Sequence, residues 1–81
     1  MRVYVCVSCD EGYNSVLVAA TSMTEATEKV IEFLVWDWQV EKYGHDRAIL
    51  EAGERFYSFF TAPRILPGLK YTSGAEVIIL E

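Results

Sequence analysis

Positive charge is scarce in this chain. Seven Lys and Arg residues face twelve Asp and Glu, a formal charge of −5 at pH 7 over 81 residues. Proteins that grip a phosphate backbone do so with Lys and Arg, so direct nucleic-acid binding is disfavoured. Docking on anionic lipid is disfavoured for the same reason. An acidic chain suits a basic protein surface, including the nucleic-acid channel of another protein. A net charge of magnitude about 2–8 also serves solubility alone.

Long apolar runs are absent too. Glu32 and Asp37 interrupt the longest one, well short of the ~18 residues a membrane span needs. No apolar signal core follows Met1 and Arg2. A cytoplasmic location and no membrane partner are therefore expected. Histidine occurs once, as His45 after Gly44, where a loop or cap role is expected. Gly12 and Gly44 stand alone, and Gly68 and Gly74 fall in turn signals, so no phosphate-cradling loop is present.

Cysteine occurs twice, in Cys6, Val7, Ser8 and Cys9. The C-x-x-C spacing is that of a redox pair, but such a pair needs a helix N-terminus to lower its pKa. Here it ends a strand, and alternation points the two thiols to opposite faces. Asp10 and Glu11 would raise the thiol pKa. A closed zinc site needs four ligands, which His45 alone does not complete. Free thiols are expected, with a metal or disulfide shared between chains as the alternative. No catalytic set, cofactor or metal site is expected.

What the chain has in quantity is apolar and aromatic side chains, 52% and 14%. That composition excludes disorder. The whole chain, 1–81, reads as one domain. At this size it buries only roughly 60–65% of the surface its unfolded chain exposes.

Residues 2–9 alternate as a strand, with Val3, Val5 and Val7 as the expected core face and Tyr4 and Cys6 opposite. Residues 10–14 are turn formers, and 15–20 read as a second strand, giving a hairpin. Ser22, Met23, Thr24 and Glu25 form a capping box. A helix is expected over 23–43, with Glu25 and Lys29 as an i,i+4 pair and Gly44 as its stop. Met23, Ala26, Val30, Phe33 and Leu34 share a 100° arc and should face the sheet. Residues 45–53 suggest a short second helix, capped by Asp46 and stopped by Gly53. The aromatic segment 55–61 suggests a strand of poor period. Pro63, Pro67, Gly68, Ser73 and Gly74 mark loop or short edge strands. Residues 75–81 form a strand expected to pair beside the first. The fold class is α+β: a two-layer, antiparallel or mixed small sheet with one main helix on one face.

One conflict stands out along the expected helix. Trp36 falls in the polar arc, while Asp37 and Glu41 fall in the apolar one. The helix must bend near residue 36 or run past the sheet. Trp36, Trp38, Val40 and Tyr43 then become anchors for a partner, because Trp and Tyr dominate interface hot spots. Asp37 and Glu41, with Glu25, Glu28 and Glu32 on the acidic face, would engage basic residues. The competing reading has residues 53–73 fold over both indoles as a second small core.

Small size, acidity and missing catalytic motifs are shared with many phage- or mobile-element-encoded inhibitors, such as anti-CRISPR and anti-restriction proteins. That similarity is one of composition and rests on no motif. The expectation is a non-enzymatic interaction protein, in its narrower form an inhibitor of a nucleic-acid-handling enzyme in the host cytoplasm. Two alternatives remain: a small-molecule-binding domain using residues 56–60 and Tyr71, and a homo-oligomeric structural protein such as a homodimer.

Overall fold

The computed structural model of the chain describes residues 1–68 and 77–80. The elements run β1 (Arg2–Cys6), β2 (Val16–Ala20), α1 (Met23–Phe33), α2 (Asp37–Tyr43), α3 (His45–Phe59), β3 (Arg64–Ile65) and β4 (Val77–Ile79). The four strands form one antiparallel sheet in the order β3-β1-β2-β4. The fold is α+β, as the pattern of elements implies. No helix among the described residues is long and apolar enough to cross a membrane.

The hairpin forms as its sequence suggests. Tyr4 pairs with Val18 and Cys6 with Val16. The Asp10 carboxylate accepts from the Gly12 amide at 2.7 Å, an Asx turn that closes the loop. Tyr13 then stacks on Phe59 with ring centroids 5.1 Å apart, tying the turn to the end of α3.

The core face of β1 is the opposite of the expected one. Tyr4 and Cys6 face the helices with Val16, Val18 and Ala20, and they join Ala26, Val30, Leu34, Ala52, Phe56 and Phe60 in the core. Val3, Val5 and Val7 do not belong to that cluster, although Val3 is buried. A period of two sorts residues into two faces but does not say which face a helix will cover. The hairpin register decides it here, by placing Val16, Val18 and Ala20 beside Tyr4 and Cys6.

The cap of α1 is partly as expected. The Ser22 hydroxyl accepts from the Glu25 amide at 3.1 Å. The Glu25 carboxylate does not return to Ser22. It accepts from the Thr21 hydroxyl and amide instead, and it pairs with Lys29 at 3.0 Å. Hydrogen bonds from Thr21 and then Lys29 hold the Glu25 carboxyl below its ordinary value. Ala26, Val30 and Leu34 are buried as the arc requires, but Met23 and Phe33 are exposed.

The expected helix over 23–43 is two helices. α1 ends at Leu34, and α2 restarts after an extended Trp36. The break falls where the apolar and polar arcs change places, so each helix can face its own neighbour. α2 packs chiefly on α3. Gly44, at φ 89° and ψ 163°, turns the chain directly from α2 into α3, and only glycine adopts that backbone freely.

α3 corrects two expectations. It is capped by Gly44 rather than Asp46, and it runs through Gly53 to Phe59. Ala48, Ala52, Arg55 and Phe56 are buried along it, a spacing of four, three and one that makes a single helical face. Burial of that face outweighs both the β preference of the aromatics and the roughly 1 kcal/mol that a mid-helix glycine costs. The second antiparallel partner of β1 appears only after α3 ends. Ser8 bridges Phe60, and β3 pairs with Tyr4 and Val5. With that edge of β1 taken, β4 pairs with β2, not with β1 as expected. The expected turn at Ser73 and Gly74, and residues 75, 76 and 81 of the last strand, lie outside the described residues.

The two glycines should respond oppositely to alanine. A Cβ at Gly53 meets nothing within 4 Å, so Gly53→Ala should stabilise by about 0.5–1 kcal/mol. Gly44→Ala should destabilise by about 1–3 kcal/mol through its positive φ. Urea midpoints at constant m-value measure both.

Candidate functional site

The corner between α1 and α2 gathers three exposed aromatic side chains with a cation beneath them. Trp36, Trp38 and Tyr43 are 40%, 53% and 45% exposed. The indoles of Trp36 and Trp38 stack at 5.9 Å between centroids, and Tyr43 lies 6.3 Å beyond Trp38. Trp36 caps α2 with extended backbone, which swings its ring alongside the ring of Trp38. A shallow depression runs between Val35, Trp36, Asp37 and Trp38.

Arg55 underlies this ladder. It is 9% exposed, and its guanidinium carbon lies 3.7 Å from the Trp36 ring centroid. One Nη donates to the Leu34 carbonyl at 2.5 Å, and the other donates to Gln39 Oε1 at 3.0 Å. Its Nε is buried without an acceptor among the described residues. The Leu34 carbonyl is an orphan at the negative end of α1, where a cation is favoured. Gln39 is buried on α2. One side chain of α3 thus fastens the end of α1, the body of α2 and the face of Trp36. At the far end of the ladder, Lys42 and Arg47 lie 5.4 and 5.3 Å from the Tyr43 ring centroid.

The expected site residues divide into three groups. Trp36, Asp37, Trp38, Glu41 and Tyr43 are exposed on one corner, and Val40 is half-buried. Glu28 and Glu32 are exposed on α1. Glu25 is engaged by Thr21 and Lys29, so it does not form one acidic array with them. Among the described residues, 53–68 leave both indoles exposed, but one of them, Arg55, supports Trp36 from below; residues 69–73 of that expected cover lie outside the described residues.

Arg55, Gln39 and Arg47 were not legible as site residues. The expectation of a strand over 55–61 hid Arg55. Helical spacing from Ala48 through Ala52 to Arg55 and Phe56 was the signal that could have found it.

The expected ligand pocket around 56–60 does not form as one wall. Phe56 and Phe60 are in the core while Tyr57 points outward. Tyr71 lies outside the described residues. A cleft of about 130 Å³ touches Phe60, Tyr13, Phe33 and Ile79, and a wider open groove of about 620 Å³ is lined by Tyr57 and Ser58 with Ile31, Leu50 and Gly53.

His45 opens α3 at the surface, and no three His, Cys, Asp or Glu come together among the described residues. Both thiols are free, Cys6 buried and Cys9 exposed. Burial pushes the Cys6 thiol up to about 11. At pH 8 that alone should slow alkylation about 100-fold relative to a thiol of ordinary pKa. Iodoacetamide with mass spectrometry should therefore modify Cys9 first and Cys6 only after unfolding. Because the native state holds this thiol neutral, its contribution is complete below about pH 9 and is lost as pH rises toward 11. Cys6→Ala should flatten the alkaline fall in Tm across that window.

Compared with family models, curated proteins and solved structures, the chain matches none. Its functional reading rests on the geometry of this corner.

Proposed function

We propose that this chain is a non-enzymatic interaction protein that docks another protein through the α1–α2 corner. The observation that carries this is a ladder of three exposed aromatic rings in contact, the first of them resting on a buried arginine. Exposed indoles ordinarily lose rotamer freedom when a partner covers them. Here stacking and Arg55 fix the rings beforehand, which lowers that cost. Trp36 and Trp38 are the anchors, with Tyr43 and Val40 beside them. Asp37 and Glu41 rim the patch and suit basic residues on the partner, as does the overall charge of −5.

The narrower proposal is an inhibitor of a nucleic-acid-handling enzyme, whose substrate channel is the basic surface. Charge and the exposed carboxylates Glu28, Glu32, Asp37 and Glu41 support it. The chain's shortage of Lys and Arg supports a protein rather than a nucleic acid as the thing bound.

Trp38→Ala should weaken partner affinity by about 30-fold or more, the scale of a hot-spot residue. It should lower stability by less than about 1 kcal/mol, since half the side chain is already in water. Bait capture identifies the partner, and calorimetric titration of that protein with wild type and Trp38→Ala measures the difference. Equal affinity of the two would place the docking face elsewhere. If the captured protein is a nuclease, its cleavage rate with and without the chain tests the narrower proposal.

A further inference from the structure

α3 carries a second apolar stripe that the core does not use. Ala48, Ala52, Arg55 and Phe56 are buried on one side, while Leu50 and Tyr57 are 68% and 73% exposed. At 100° per residue, Leu50 and Tyr57 lie within about 20° of each other and opposite the buried face. Arg47 and Glu54 share the same seven-residue spacing beside them. Arg47, Leu50, Glu54 and Tyr57 thus follow one another at three, four and three residues, the rhythm of a helix-packing seam. A groove lined by Ile31, Ile49, Leu50, Gly53 and Tyr57 runs along the α1 side of this stripe.

We propose that this stripe is a self-association surface, occupied by α3 of a second copy of the chain packed antiparallel about a two-fold axis near Leu50. Arg47 and Glu54 set the direction of the pairing, while Asp46 and Glu51 leave each face net acidic and keep the association weak. A parallel pairing would set Arg47 against Arg47 and Glu54 against Glu54. The antiparallel pairing sets each Arg47 against Glu54 of the second copy, twice by symmetry. Leu50 then meets Leu50 at the axis.

Glu54 is available for this, while Arg47 must exchange its present contacts. Glu54 has no ion-pair or hydrogen-bond partner among the described residues. Arg47 holds Glu51 at 3.4 Å and lies 5.3 Å from the Tyr43 ring centroid, solvent-accessible contacts that it would exchange for Glu54 of the second copy. One helix pair falls below the roughly 1,200 Å² of standard stable complexes. Association is therefore weak, with half-dimerisation on the order of 0.1 mM.

Sedimentation velocity of the full chain from micromolar to about millimolar concentration tests the proposal. Wild type should move from monomer to dimer across that range. Leu50→Glu should stay monomeric, and Trp38→Ala should dimerise like wild type. Arg47→Glu should shift half-dimerisation upward by about tenfold or more, and the exchange Arg47→Glu with Glu54→Arg should restore it. All these positions are exposed, and circular dichroism confirms that each variant folds. A wild type that stays monomeric at about 1 mM overturns the proposal. So does a dimer that survives Leu50→Glu, or a charge exchange that fails to restore association.

Discussion

Arg55→Met should destabilise the protein by about 3–4 kcal/mol and dismantle the aromatic ladder. Three contributions disappear together. The Leu34 carbonyl and Gln39 Oε1 lose a charged donor, at about 1–3 kcal/mol each when left buried and unpaired. The Trp36 ring loses a cation at 3.7 Å, worth about 1–2 kcal/mol in a desolvated setting. One effect opposes these. Arg55 is a buried charge with only neutral acceptors, so removing it relieves a desolvation cost of several kcal/mol. Methionine keeps the packing of the aliphatic stem but satisfies neither acceptor.

The losses win because both acceptors stay buried in the variant. Arg55→Lys should fall between, since an ammonium cannot reach both oxygens in a planar fork. Urea denaturation gives the stability. Near-ultraviolet circular dichroism reads the stacked indoles, whose coupled signal should fade in Arg55→Met. Wild-type stability with that signal intact would remove Arg55 from the support of this corner.

Phe56→Ala should cost about 3–5 kcal/mol, the range for a fully buried Phe. Phe56 is 1% exposed and stacks parallel to Phe60 at 6.0 Å. It belongs to the core cluster with Tyr4, Val18, Val30 and Ala52, so the cavity would open in the middle of the core. A domain of this length has about 4–12 kcal/mol of total stability at 0.05–0.15 kcal/mol per residue. The variant should therefore melt about 15–30 °C lower. Phe56→Leu should recover much of the loss by filling most of the volume. A melting temperature within a few degrees of wild type for Phe56→Ala would show that the core collapses around the gap.

The two variants separate support of the binding corner from general stability. Arg55→Met should alter the indole signal even under conditions where the chain remains folded. Phe56→Ala should leave that signal native-like until the whole domain melts.

Particular residues show where local pattern sufficed and where it did not. The hairpin was legible because alternation and turn chemistry act within a few residues. The start of α1 was legible because Ser22 and Glu25 are in reach of each other without help from the rest of the chain. The break at residue 36 was legible as a conflict, since no straight helix could satisfy both Trp36 and Asp37. The aromatic corner was legible as a set of residues, because the same conflict singled them out.

Other features depend on segments far apart in sequence. Tyr4 rather than Val5 enters the core because of what β2 brings alongside and where the helices then lie. Residues 54–59 are helical because burying Phe56 and Arg55 on α1 and α2 outweighs the local preference of aromatic residues for strands. β4 joins β2 because β3 has taken the other edge of β1. Short-range rules in the sequence thus determined which segments form elements and which residues conflict. The tertiary structure alone decided which face is buried and that Arg55 holds the ladder, because burial and a charge's acceptors are set by neighbours 16 and 21 residues away.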